Sequence, residues 1–170
     1  MYLELARRNA PTEFIGYNEG TSGLSVIRDI VELAEPDSVL IVTDRTPFYG
    51  ASGGQVGDTG WIFGRSTNAR VRVVDTIKPA NDVIIHVGKV LRGPLLKGQT
   101  VTLEVDLAQR KATCANHSAT HLLHLALRRV LGDHAAQKGS LVGPARLRFD
   151  FSHSVPMTAE EKRRVEELGN

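Results

Sequence analysis

The residues best suited to chemistry in this sequence are His117-Ser118-Ala119-Thr120-His121. Histidines at i and i+4 of a helix stand about 40° apart around its axis, on one face, because a turn takes 3.6 residues. Both imidazoles can then point at one ion, the arrangement used by helical zinc sites. The alternative is two solvated histidines on a helix surface. A zinc-peptidase reading is distant, because Ser118 stands where such a helix carries its general-base Glu. His124 lies three residues beyond His121 and either joins the face or edges a core. Cys114, three residues before His117, is either a thiolate ligand or one small buried cysteine. A tetrahedral zinc site needs three or four protein ligands, and Asp150 and His153 are further candidates.

A second chemical feature is the stretch from Gly50 to Gly60, which contains Ser52-Gly53-Gly54-Gln55 and Gly57-Asp58-Thr59-Gly60. So many glycines cannot form a strand interior. They let backbone approach a ligand closely and can turn N–H groups toward an anion. No Gly-Lys-Ser/Thr ending follows, so this is not a P-loop. Gly53-Gly54-Gln55 on its own resembles the tip motif of peptide-chain release factors; the structural alternative is a tight barrel turn. A third feature is Gln137-Lys138-Gly139-Ser140, where a Gln amide can both donate and accept and so read a hydroxyl or an amine. Its alternative is a surface turn.

The elements that must position these residues fall into two parts. Before residue 106 the pattern is β: Val39 to Val42, Trp61 to Phe63, Arg70 to Ile77, Val83 to Val90, and the alternating Val101 to Asp106. Lys78-Pro79-Ala80-Asn81-Asp82 supplies turn chemistry between two of them. Short strands at this spacing predict a small antiparallel barrel over residues 1–105. From Asp106, which with Gln109 forms a capping-box pattern, a helix is expected to Leu131, ended by Gly132. A break near Asn116 would let that residue cap a second helix. Leu122, Leu123, Ala126, Leu127 and Val130 give the helix its apolar face. Lys138 to Phe151 reads as a hairpin around Gly143-Pro144. Thr158-Ala159-Glu160-Glu161 opens a last helix, with Val165 and Leu168 as its inward residues. The fold class is therefore α+β: a barrel, then an incomplete helix-plus-antiparallel-sheet domain over 106–170.

Composition fits a globular chain: 41% hydrophobic and 24% charged residues in 170. No apolar run approaches the roughly 18 residues of a membrane span, and no signal peptide is visible. A single cysteine fits a reducing compartment. Residues 1–110 carry a net charge of −1 and residues 111–170 one of +3, and five of the six histidines fall in the second part. Lys111, Arg128, Arg129, Lys138, Arg146 and Arg148 are there to meet phosphates, or are a solvated surface.

Five segments together resemble alanyl-tRNA synthetases, in the family's order and over nearly the whole chain. They are Pro11 to Tyr17; Thr46-Pro47-Phe48-Tyr49 leading into the Gly-rich stretch; Asn116 to His124; Gln137 to Val142; and Leu147 to His153. The resemblance implies a translation-type β-barrel followed by the first part of the editing domain that hydrolyses tRNA(Ala) mischarged with serine or glycine. It implies that His117 and His121 are two zinc ligands, the remaining ligands lying in a C-x-x-x-H motif beyond Asn170. It implies that Gln137 contacts the seryl hydroxyl and that the Gly53-Gly54-Gln55 loop helps exclude the wrong amino acid. The aminoacylation domain, with ATP and Mg, and the C-terminal oligomerising region would belong to the remainder of a cytoplasmic synthetase that serves protein biosynthesis. The isolated piece is then expected to edit poorly or not at all. Competing readings are a free-standing alanyl-tRNA editing hydrolase and a non-catalytic tRNA-binding barrel.

Overall fold

The structure is a computed structural model and describes residues 1–169. Along the chain run α1 (Tyr2–Arg8), β1 (Glu13–Phe14), β2 (Ser22–Glu32), β3 (Ser38–Thr43), β4 (Arg45–Thr46), β5 (Gly60–Gly64), β6 (Arg70–Ile77), β7 (Ile85–Arg92), β8 (Thr100–Val105), α2 (Leu107–Leu131), β9 (Gln137–Val142), β10 (Leu147–Phe151) and α3 (Ala159–Gly169). They form two compact units. The first is Met1–Ser52 with Val56–Arg110; the second is Gly53–Gln55 with the chain from Lys111 onward.

In the first unit, six strands close into a barrel in the order β2-β3-β7-β6-β5-β8, every neighbour antiparallel. Closure pairs every strand on both sides and leaves no open edge. Ile27, Val39, Ile41, Ile62, Val71, Val73, Val101 and Leu103 belong to one buried apolar cluster. β3 is buried at all six positions. Its alternate residues Leu40 and Val42 belong to a second cluster with Leu5 and Ala6 of α1, Val83 and Ile85. A strand covered on both faces reads as a continuous apolar run rather than an alternating one, and Val39-Leu40-Ile41-Val42 is such a run.

His86 and Asp58 are among the polar groups locked into this unit. His86 is fully buried. Its Nδ1 lies 3.0 Å from the Ile41 carbonyl and its Nε2 2.8 Å from Thr46 Oγ1. The carbonyl can only accept, so the proton sits on Nδ1 and Thr46 donates to Nε2. Burial pushes the His86 pKa down to about 4, keeping the ring neutral. In the Gly-rich stretch, buried Asp58 accepts from the Tyr49 N–H at 2.6 Å and from Arg110 Nε at 2.9 and 3.0 Å. Arg110 also donates to the Pro47 carbonyl at 2.8 Å. A buried carboxylate is tolerable when bonded in this way.

The turn expected at Lys78–Asp82 is present, with Asn81 and Asp82 both at φ 54°, a backbone region that Asn and Asp tolerate better than most residues. The β7 strand begins at Ile85, two residues later than the apolar run suggested. The sequence pattern does not reveal β2, although at 11 residues it is the longest strand among the described residues. A bulge between Ile27 and Asp29 resets its alternation. Asp29 is nonetheless buried, where it accepts from Arg8 Nε at 2.7 Å and Asn9 Nδ2 at 3.1 Å.

In the second unit, α2 does not break at Asn116. That side chain instead donates to the Gly143 carbonyl at 2.7 Å, holding the turn between β9 and β10. At the start of α2, Asp106 Oδ1 accepts from the Gln109 N–H at 3.2 Å; at its end, Gly132 stands at φ 107°. Ala126 and Leu127 are buried with Ala135 and Val165, while Leu122, assigned above to the apolar face, is 51% exposed. The β9–β10 hairpin and the Thr158 capping box are as expected. The Thr158 N–H donates to Glu161 Oε2 at 2.7 Å and the Glu161 N–H to Thr158 Oγ1 at 3.2 Å. Val165 is buried, but Leu168 is exposed, because the last turn of α3 carries it away from the cluster. Among the described residues, no helix is long and apolar enough to cross a membrane.

Candidate functional site

The candidate site lies within the second unit. His117 and His121 are one turn apart on α2, their ring centroids 4.9 Å apart and their planes tilted by 45°. His117 Nδ1 lies 2.7 Å from Gln55 Oε1. An amide oxygen only accepts, so Nδ1 carries a proton, and in the neutral ring Nε2 is the nitrogen with the lone pair. This is the way metal-binding histidines are commonly fixed in one tautomer.

Gln55 is placed by backbone. It forms an isolated parallel bridge with Val142, and the Val142 N–H donates to the Gly54 carbonyl at 2.8 Å. Gly54 has φ 86°, and a Cβ there would stand 2.5 Å from the Ser140 carbonyl oxygen. Only glycine allows this approach, so the Gly53-Gly54 pair is what seats Gln55 against the hairpin.

A cavity of about 160 Å³ is lined by His117, His121, Gly53 and Gln137, with Thr120, His124 and Ser140. Gln137 donates from Nε2 to Ser140 Oγ at 3.2 Å, which leaves its carbonyl oxygen and its second N–H for other partners. Thr120 is buried, its hydroxyl donating to the Asn116 carbonyl at 2.8 Å. His124 Nε2 is buried without a hydrogen-bond partner, its ring 5.1 Å from that of Phe149.

The other candidate ligands lie elsewhere. Asp150 pairs with Arg148 at 3.1 Å, and His153 Nδ1 lies 2.9 Å from His134 Nε2. Cys114 is exposed. Among the described residues, no three His, Cys, Asp or Glu side chains come together to hold a metal. By itself the histidine pair would supply two of the three or four protein ligands that a zinc site takes. Thr120 and Ser140 lie inside the two motifs, but the sequence assigns neither of them a role. The only signal for Thr120 is its place three residues after His117, on the same helical face.

Residues 2–109 match the family model for tRNA synthetases class II (A), and the chain belongs to that family. Its whole length aligns with alanine–tRNA ligases. It is 49% identical to those of Parvibaculum lavamentivorans and Nitrobacter winogradskyi and 48% identical to that of Rhizobium johnstonii. In each case the chain spans about 20% of the relative's length.

Proposed function

We propose that this chain carries part of the editing region of an alanine–tRNA ligase, in which tRNA(Ala) mischarged with serine or glycine is hydrolysed. The observation that carries the reading is the histidine pair: His117 held by Gln55 in the tautomer a ligand needs, His121 beside it, and Gln137 on the wall of the same cavity.

The task has a clear physical basis. Serine is alanine with an added hydroxyl and glycine is alanine without its methyl. A pocket shaped for alanine discriminates against the smaller side chain by only about 1–3 kcal/mol and rejects the added hydroxyl poorly. A second, hydrolytic site is the remedy. It must favour serine over alanine, and Gln137 provides an amide for the hydroxyl. His117 and His121 would supply two nitrogens to zinc, the further ligands lying outside this sequence. Bound zinc would polarise the ester carbonyl or activate water. Gln55 orients His117, while Gly53 and Gly54 keep the loop close enough to narrow the cavity. ATP and Mg would serve aminoacylation in another region of the synthetase, tRNA(Ala) being the shared partner and the cytoplasm the setting.

Hydrolysis of Ser-tRNA(Ala), with Ala-tRNA(Ala) as control, tests this in the 170-residue chain and in a longer one that adds a Cys/His ligand motif. The longer chain should deacylate the seryl ester selectively, and His117→Ala should abolish that activity. The shorter chain should be slow or inert. Undiminished hydrolysis by His117→Ala, or none by the longer chain, would overturn the reading.

A further inference from the structure

The outward side of the barrel carries a feature that stability does not account for. Across β6 and β7, Arg70 stands directly opposite Arg92, and Arg72 opposite Lys89. Like charges directly opposite one another destabilise an antiparallel pair. Here there are two such pairs in succession. On the other side of β6, Trp61 of β5 faces Arg72 and Phe63 faces Arg70. The two rings are stacked, with centroids 6.2 Å apart and planes 21° apart. The Arg70 guanidinium lies 4.3 Å and that of Arg72 4.9 Å from the Trp61 ring centroid. The planar cations are thus held on an aromatic base.

Some acids temper this charge. Lys89 Nζ is 2.9 Å from Glu35, Arg72 is 3.6 Å from Asp106, and Glu104 stands opposite Trp61 on β8. Arg70 and Arg92 are exposed, and among the described residues neither has a carboxylate within ion-pair distance.

We propose that this face, formed by Trp61, Phe63, Arg70, Arg72, Lys89 and Arg92, is an RNA-binding surface that takes the tRNA phosphate backbone between Arg70 and Arg92. An anion there relieves the repulsion between the facing cations, which explains why the strands keep them opposed. A polyphosphate chain also suits four cations spread over neighbouring strands better than a single small anion does. The aromatic pair fixes the guanidinium planes that meet the phosphates. The inference rests on the tRNA partner proposed above, but not on editing chemistry.

Trp61 is the chain's only tryptophan, so its emission reports binding at this face. Titration of the 170-residue chain with tRNA at several salt concentrations should quench that emission. Arg70→Gln with Arg92→Gln should weaken binding by about tenfold and reduce the salt slope by about two, one for each phosphate that is no longer neutralised. Arg164→Gln, on α3, should leave both unchanged. Arg92→Glu adds a readout that a purely structural role would reverse: placing Glu opposite Arg70 should raise the melting temperature of the barrel while weakening tRNA binding. Unchanged affinity and slope in the double variant, or tRNA binding by the wild type without any change in Trp61 emission, would overturn the proposal. So would an absence of tRNA binding. None of these outcomes bears on Ser-tRNA(Ala) hydrolysis, which is read at His117.

Discussion

His86 makes the clearest case at the scale of the single residue. Its folded pKa of about 4 is below the ordinary value near 6.5, so between these the unfolded chain binds a proton that the folded chain refuses. Stability is therefore complete above about pH 6.5 and falls by up to ~1.4 kcal/mol per unit as the pH drops toward 4, then levels off. Asp29 acts in a separate, lower window. Burial raises its pKa, but hydrogen bonds from Asn9 and Arg8 outweigh this and hold it below the usual value, so its contribution is lost only in stronger acid. Urea midpoints followed through Trp61 from pH 7.5 to 4 should show the His86 slope, and His86→Gln should flatten it; parallel curves would refute the assignment. For a longer chain that adds the Cys/His motif, the proposed zinc site predicts that Gln55→Ala weakens metal affinity by about 10- to 100-fold, measured against a chromophoric chelator, because His117 loses the partner that fixes its tautomer. The histidine pair itself was legible in sequence, since i, i+4 spacing is local. The Gln55 hydrogen bond was not: it joins positions 62 apart and exists only because Gly54 lets two backbones approach.

Individual elements differ in what holds them. α1 has only seven residues and depends on Leu5 and Ala6 packing over Leu40, Val42 and Ile85. Leu5→Ala should cost about 2–5 kcal/mol, seen as a lower melting temperature of the barrel. α3 depends more on its ends. Thr158→Ala removes half of a reciprocal cap and should cost about 1 kcal/mol, seen as faster amide exchange in the first turn of α3 with β3 unchanged. The same contrast explains what could be read beforehand. β5, β6, β8 and the hairpin announce themselves by β-rich runs and punctuating glycines, and α3 by its capping box. β2 is invisible in sequence because its bulge breaks the alternation and its buried positions include Ser25 and Asp29. Asn116 looked like a cap because Asn is a good one; only the hairpin turn it grips shows why it sits mid-helix.

For the molecule as a whole, the two units hold unequal cores. Among the described residues, the barrel unit contains two buried apolar clusters, one of ten residues and one of six, whereas the second unit has one of four. The second unit should therefore open first in denaturant. Far-UV circular dichroism, weighted toward α2 and α3, should fall before Trp61 fluorescence, which senses the barrel; coincident transitions would show that the two unfold together. The double coverage of β3 has a consequence for variation across the chain. A strand with one wet face accepts substitutions at every second position, so its tolerance has period two. Ser38–Thr43 has no such face. In a scan of all single substitutions selected for folding, these six consecutive positions should form an unbroken intolerant block. β10, whose exposure alternates along its length, should show a comb of permitted and forbidden sites.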